Sequence, residues 1–230
     1  MKTKLPAVPT VLFASAAFLG ACSSNEPGPV ETQATRSVPM TESSDVAGHV
    51  GMVYRASNVN PRQYTRFIVE PVQIYRGADA DFGGATEQQK QQMAAFMQSE
   101  LVRALGNRVT TTPGPNVARM KVTLAGLEGN IPVAATASRL LPVGLVANVV
   151  QSARGEPGSF TGSVTYAAEV VDSMTGRPIV VAVQKRSPDA MDIGATLSSQ
   201  EAQKAAITSV ADAFRKKIDE LQSASGAPRS

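Results

Sequence analysis

The chain has 230 residues, with 22 Lys and Arg against 19 Asp and Glu, one His, one Cys, no Trp and 43% hydrophobic positions. A single cysteine excludes an internal disulfide and every cysteine-based zinc site, and a single histidine excludes paired imidazole ligands. The formal charge of +3 is spread without a long basic run and meets few aromatic residues, so nucleic-acid binding has no electrostatic footprint.

Residues 1–21 read as an export signal. Lys2 and Lys4 give a positive start, Val11 to Leu19 an apolar stretch, and Gly20 and Ala21 small residues at a cleavage site. The apolar stretch falls short of the ~20 residues a membrane-spanning helix needs. The run Leu19-Gly20-Ala21-Cys22-Ser23 resembles the lipobox of bacterial lipoproteins. That resemblance implies cleavage before Cys22, diacylglycerol on its sulfur and acyl groups such as palmitate on its new amine. Two or more chains, at ~0.8 kcal/mol per buried methylene, anchor a protein durably to a membrane without spanning it. Ser23 in place of Asp resembles the default that sends such proteins to the outer membrane, facing the periplasm. Loss of Lys2 and Lys4 leaves 20 basic residues against 19 acidic, close to neutrality.

Residues 22–49 read as the lipidated N-terminus and a disordered tether, because Ser, Thr, Glu and Pro dominate and Val30, Val38, Met40 and Val46 show no period. A flexible coil of this length reaches roughly 30 Å on average. His49, beside Gly48 and Gly51, has no second imidazole or cysteine partner and reads as a surface residue.

From residue 50 to 222 the periods alternate between strand and helix, which predicts a single α+β domain, followed by a flexible tail over 223–230. Tyr64 to Tyr75 is rich in aromatic and β-branched residues and reads as a strand, interrupted or at an edge where Pro71 lacks a donor. Thr86 and Gln89 form a capping box that opens a helix with a stripe of Met93, Phe96, Met97, Leu101, Ala104 and Leu105, stopped by Gly106. Arg108 to Thr112 and Val117 to Leu127, separated by Pro113-Gly114-Pro115, read as a hairpin. A second hairpin joins Gly162 to Val171 with Ile179 to Val183 through Asp172-Ser173-Met174-Thr175-Gly176-Arg177. Ser198 and Glu201 open the last helix, with Ala202, Ala206, Val210, Ala213, Phe214, Ile218 and Leu221 along one side. Lys216-Lys217 on that helix reads as a solvated face. The order is β-α-β-β-insert-β-β-α, a mainly antiparallel sheet with two principal helices packed on one face.

The lipobox, the run Phe67-Ile68-Val69-Glu70-Pro71-Val72, a helix closing in Leu105-Gly106 and the hairpin Glu169-Val170-Val171-Asp172-Ser173-Met174-Thr175-Gly176 together resemble DUF3313, a family of bacterial lipoproteins of unknown function. The resemblance implies an address and a fold and brings no catalytic residue.

Candidate chemistry is sparse. Asp79, Asp81 and Glu87 suggest a calcium loop, but the bidentate glutamate expected at its twelfth position would fall at Lys90. Glu169 and Asp172 could form an acid/base pair, although a hairpin uses the same residues structurally. A serine hydrolase would need a Gly-x-Ser-x-Gly elbow, which the chain lacks, and a usable histidine, which the solitary His49 does not supply, and Gly-rich phosphate loops are absent. No cofactor and no metal are expected. From Gly129 to Ala153 the only charge is Arg139, and Leu140, Leu141, Val143, Leu145, Val146, Val149 and Val150 form a nearly unbroken apolar run, either buried core or a hydrophobic interaction surface. The function expected is therefore a non-catalytic outer-membrane lipoprotein that binds or scaffolds a cell-envelope component. Its partners would be the membrane, through Cys22, and an envelope protein or lipid. A carrier of hydrophobic ligands using residues 131–150 is the alternative, and an undetected hydrolase a distant third.

Overall fold

The structure is a computed structural model and describes residues 30–44, 50–128, 162–187 and 198–223. Seven strands of the described residues form one sheet: β1 (Thr41–Ser44), β2 (Val50–Arg55), β3 (Arg66–Val69), β4 (Gln73–Ile74), β5 (Val117–Glu128), β6 (Ser163–Asp172) and β7 (Pro178–Arg186). Their spatial order is β1-β2-β7-β6-β5-β3, with β4 also pairing with β5. All pairings are antiparallel except those of β3 and β4 with β5. Parallel neighbours need a long crossover. Here it is the helix α2 (Glu87–Leu105), preceded in the chain by the single turn α1 (Gln33–Arg36) and followed by α3 (Ser199–Ser223). The fold is α+β, with the two long helices on one face of a mainly antiparallel sheet.

The helices start where their sequence dictates. Thr86 Oγ1 accepts from the Gln89 amide at 3.2 Å and Gln89 Oε1 accepts from the Thr86 amide at 2.8 Å, closing the capping box of α2. Ser198 Oγ accepts from the Glu201 amide at 3.1 Å at the start of α3. Alternation along β5 sends Met120, Val122 and Leu124 to the helix side, where Met97 and Leu101 of α2 and Ile207 and Val210 of α3 meet them. Each such side chain contributes about 1.5–3 kcal/mol by leaving water.

Pro71 breaks the Tyr64–Tyr75 segment into β3 and β4, as its missing donor requires. The gap is closed from α2: Gln98 Oε1 accepts from the Val72 amide at 3.0 Å, and its Nε2 donates to the Val69 carbonyl at 3.4 Å. One side chain thereby satisfies two backbone groups left over at the break. A second constraint lies in β5, where the register shifts at Gly126 and a Cβ there would come within 2.7 Å of the Asp81 carbonyl oxygen. That oxygen accepts from the Leu127 amide at 2.8 Å, so only glycine lets the loop approach this closely.

Two expectations are corrected. Arg108 to Thr112 does not pair with β5 in a hairpin. It begins as a 3-10 turn (Gly106–Arg108), and Val109 makes a single parallel bridge to Phe67. Both sides of β5 are already taken, by β3 with β4 and by β6, so the free edge of β3 is the place left. The fold also begins well before residue 50. Val30 is buried, Thr32 caps α1, and β1 pairs with β2. The polar composition of 30–44 hides this, because β1 is a sheet edge with little to bury and Val30 is a single anchor. Val30 packs with Ala125, Ala167 and Val183 on the sheet face opposite the long helices, with Met40 and Tyr75 against them.

Candidate functional site

The strongest concentration of features lies at one end of the sheet, where the turn before β3, the β6–β7 turn and the last turns of α3 converge. Asn60 accepts from the Arg62 amide at 3.1 Å and caps a 3-10 turn, Pro61–Gln63, that delivers Tyr64. The Tyr64 hydroxyl donates to Asp172 Oδ2 at 2.9 Å. Asp172 Oδ1 accepts from the amides of Met174 and Thr175, at 3.1 and 2.8 Å, and from the Thr175 hydroxyl at 2.9 Å. Gly176 takes a φ of 70°, which the turn needs. Ser173 ties the turn to the loop before β5, exchanging hydrogen bonds with the Gly114 amide and carbonyl at 3.2 Å each. The Thr175 amide is the chief of several contacts that hold the Asp172 carboxyl below its ordinary pKa. Burial, and then the bond to Asp172, push the Tyr64 phenol above its ordinary value.

Beside this polar knot opens an apolar cleft of about 130 Å³. Tyr64 and Phe67 form one wall, Ile179 and Val180 of β7 the floor, and Phe214 and Leu221 of α3 the roof. Phe214 tilts against Tyr166 with ring centroids 6.5 Å apart. The sequence stripe puts Phe214, Ile218 and Leu221 along one side of α3, and that side faces the cleft. Only Ile218 of the three is fully buried. No signal within a single segment announces the cleft, because its lining comes from α3, β7 and the turn before β3 together.

The other residues singled out by sequence separate. Glu169 pairs with Lys121 at 3.3 Å on the face away from the helices, while Asp172, three residues on along the strand, belongs to the opposite face and is consumed by its turn. The acidic loop also disperses. Asp79 accepts from the Tyr75 hydroxyl at 2.7 Å, Asp81 from the Gly83 amide at 3.1 Å, and Glu87 contacts Arg76 and Lys90 at 3.1 and 2.8 Å. No group of three or more potential metal ligands occurs among the described residues. Lys216 and Lys217 are exposed on α3. No helix among the described residues is long and apolar enough to cross a membrane. Cys22, His49 and the apolar run containing Leu140, Leu141, Val143, Leu145, Val146, Val149 and Val150 lie outside the described residues.

The family model for DUF3313, a protein of unknown function, matches residues 32–214. The chain belongs to the DUF3313 family. The match starts at Thr32, inside the N-terminal segment that the fold incorporates. No curated protein matches the sequence. Among solved structures, the PelC dodecamer from Paraburkholderia phytofirmans is similar at 10% identity and a TM-score of 0.38, over 72% of this chain and 97% of that one. A "putative lipoprotein" from Caulobacter crescentus CB15 is similar at 12% identity and a TM-score of 0.36, over 74% and 96%. Likenesses of this size carry no argument about function.

Proposed function

We propose that this DUF3313 chain is a non-catalytic lipoprotein, anchored in the outer membrane through acyl groups on Cys22, whose periplasm-facing domain binds or scaffolds a component of the cell envelope. The observation that carries the reading is the run Leu19-Gly20-Ala21-Cys22-Ser23, which puts the only cysteine where a lipobox requires it. The fold adds a distance. Val30, which is buried, lies eight positions after Cys22, so even a fully extended chain holds the domain within roughly 28 Å of the anchor. The domain works close to the bilayer surface. The carboxylates that could have served as an acid/base pair are instead used by an ion pair and a turn, which favours binding over catalysis. Carriage of a whole lipid gains no support from the cleft, because pockets that enclose ligands of drug size measure about 300–1,000 Å³.

The test is Cys22→Ala. The parent protein is expected in the outer-membrane fraction with diacylglycerol and acyl mass added, and the variant soluble in the periplasm. A variant that still fractionates with membranes, or a parent with an unmodified thiol, overturns the reading.

A further inference from the structure

We propose that the cleft beneath the last turns of α3 docks a segment of a partner protein that carries one bulky apolar side chain flanked by acidic residues. Size comes first. An apolar cavity of about 150 Å³ accepts a benzene-sized molecule. The cleft, at about 130 Å³, therefore takes one aromatic ring or branched aliphatic group. Interfaces concentrate their affinity in anchors of this kind, seated in pockets that exclude water.

Charge decides what surrounds the anchor. Lys217 lines the cleft, Arg62 lies between the lining residues Pro61 and Tyr64, Arg55 is the strand partner of Val180, and Arg177 lies two residues before Ile179. Arg55, Arg62 and Arg177 are exposed and pair with no acidic side chain among the described residues. Lys217 reaches Glu220 at 3.1 Å, an exposed pair of the weak kind that yields to a competitor. Nearby acids are already partnered: Asp172 by its turn and Tyr64, Asp212 by Arg103 and Arg215, Asp219 by Arg108 and Arg215. A cationic collar around an apolar hole favours acidic flanks and repels basic ones. The chain's own tail, Ala224 to Ser230, has no acidic and no bulky apolar residue, so it is not the occupant.

This inference rests on the scaffold reading and names its partner class. Cys22→Ala reports membrane attachment alone, so the two can fail separately. The test is selection of a display library of random heptapeptides on the full chain, with counter-selection on Leu221→Asp, a half-buried position on the last turn of α3. The expected result is enrichment of acidic peptides with one central Phe, Trp or Leu. The affinity of a synthesised member should fall about tenfold on Leu221→Asp, the loss of one anchor contact, and also on Arg62→Glu, with the melting temperature of each variant unchanged. If Leu221→Asp unfolds the domain, Arg62→Glu, on an exposed turn, carries the comparison alone. Enrichment of neutral or basic peptides, or of nothing beyond the counter-selected background, overturns the proposal. So does Leu221-dependent binding to phosphatidylglycerol vesicles without peptide binding, which would make the occupant a lipid surface, or Leu221-dependent self-association without it, which would make it a second copy.

Discussion

Along β5, Met120, Val122 and Leu124 are buried beneath α2 and α3, whereas Arg119, Lys121 and Thr123 alternate with them onto the opposite face. The first face is closed by two long helices. The second is closed, among the described residues, by a short N-terminal segment seated on Val30 and by the pairs Glu70–Arg119 at 2.6 Å, Lys121–Glu169 at 3.3 Å and Glu128–Lys185 at 2.7 Å. The same strands therefore build one face on a broad apolar cluster under two helices and the other on a narrower set of buried residues, Val171, Val181 and Val183 among them, bordered by partly exposed charges. The broader burial is the stronger of the two, which makes the first face the seat of stability and the second the more tolerant of change.

The largest effect expected from this contrast is on the helix side. Leu124→Ala removes a fully buried side chain and should cost about 2–5 kcal/mol. Val30→Ala, the corresponding truncation on the other face, should cost about 1–2 kcal/mol through lost burial alone. Urea unfolding with an unchanged slope measures both. Equal losses would break the contrast, and a Val30 effect near zero would show that the N-terminal segment is held by β1 pairing instead.

Next in size is the end of the sheet, where Asp172 ties the β6–β7 turn to Tyr64. The folded carboxyl has a lowered pKa, so the stability it adds is present above the ordinary carboxyl value of about 3.9. It is lost as pH falls through the lower folded value. Asp172→Asn should cost about 1–3 kcal/mol at neutral pH, since one acceptor oxygen becomes a donor facing the Tyr64 hydroxyl or the turn amides. It should also flatten the decline of stability on acidification below about pH 4. A curve parallel to that of the parent would assign the acid sensitivity to other carboxylates.

What the sequence made legible follows the range of the interactions. The capping box of α2, the Ser198 N-cap of α3, the Asp172–Gly176 turn and the break at Pro71 are encoded within a few residues, and all stand where periodicity and turn chemistry put them. The parallel pairing of β3 with β5, the single bridge at Val109 and the seating of β1–β2 beside β7 depend on partners tens of residues away. A stretch such as Thr41–Ser44 has no apolar alternation with which to announce itself, because as an edge strand it buries almost nothing. Of the candidate site, Phe214, Ile218 and Leu221 were legible as one stripe, but not the space beneath them. A cleft is a mismatch between two elements, and no single segment encodes it.

The smallest effect sharpens the contrast from the charged side. Lys121 and Glu169 face each other in the β5–β6 register, with side chains partly open to water. A double-mutant cycle with Lys121→Ala and Glu169→Ala should return a coupling of about 0.2–1 kcal/mol, the range of exposed ion pairs. Salt should shrink it further, because charges in contact with solvent are screened over about 10 Å at 0.1 M ionic strength. The pair would then set the register of the two strands without holding the sheet together, since Met120 and Val122 anchor the rungs on either side from the opposite face. A coupling well above this range, insensitive to salt, would mean that the pair is shielded from water in the intact protein. The second face would then be a covered one, and its tolerance of substitution would end with the contrast.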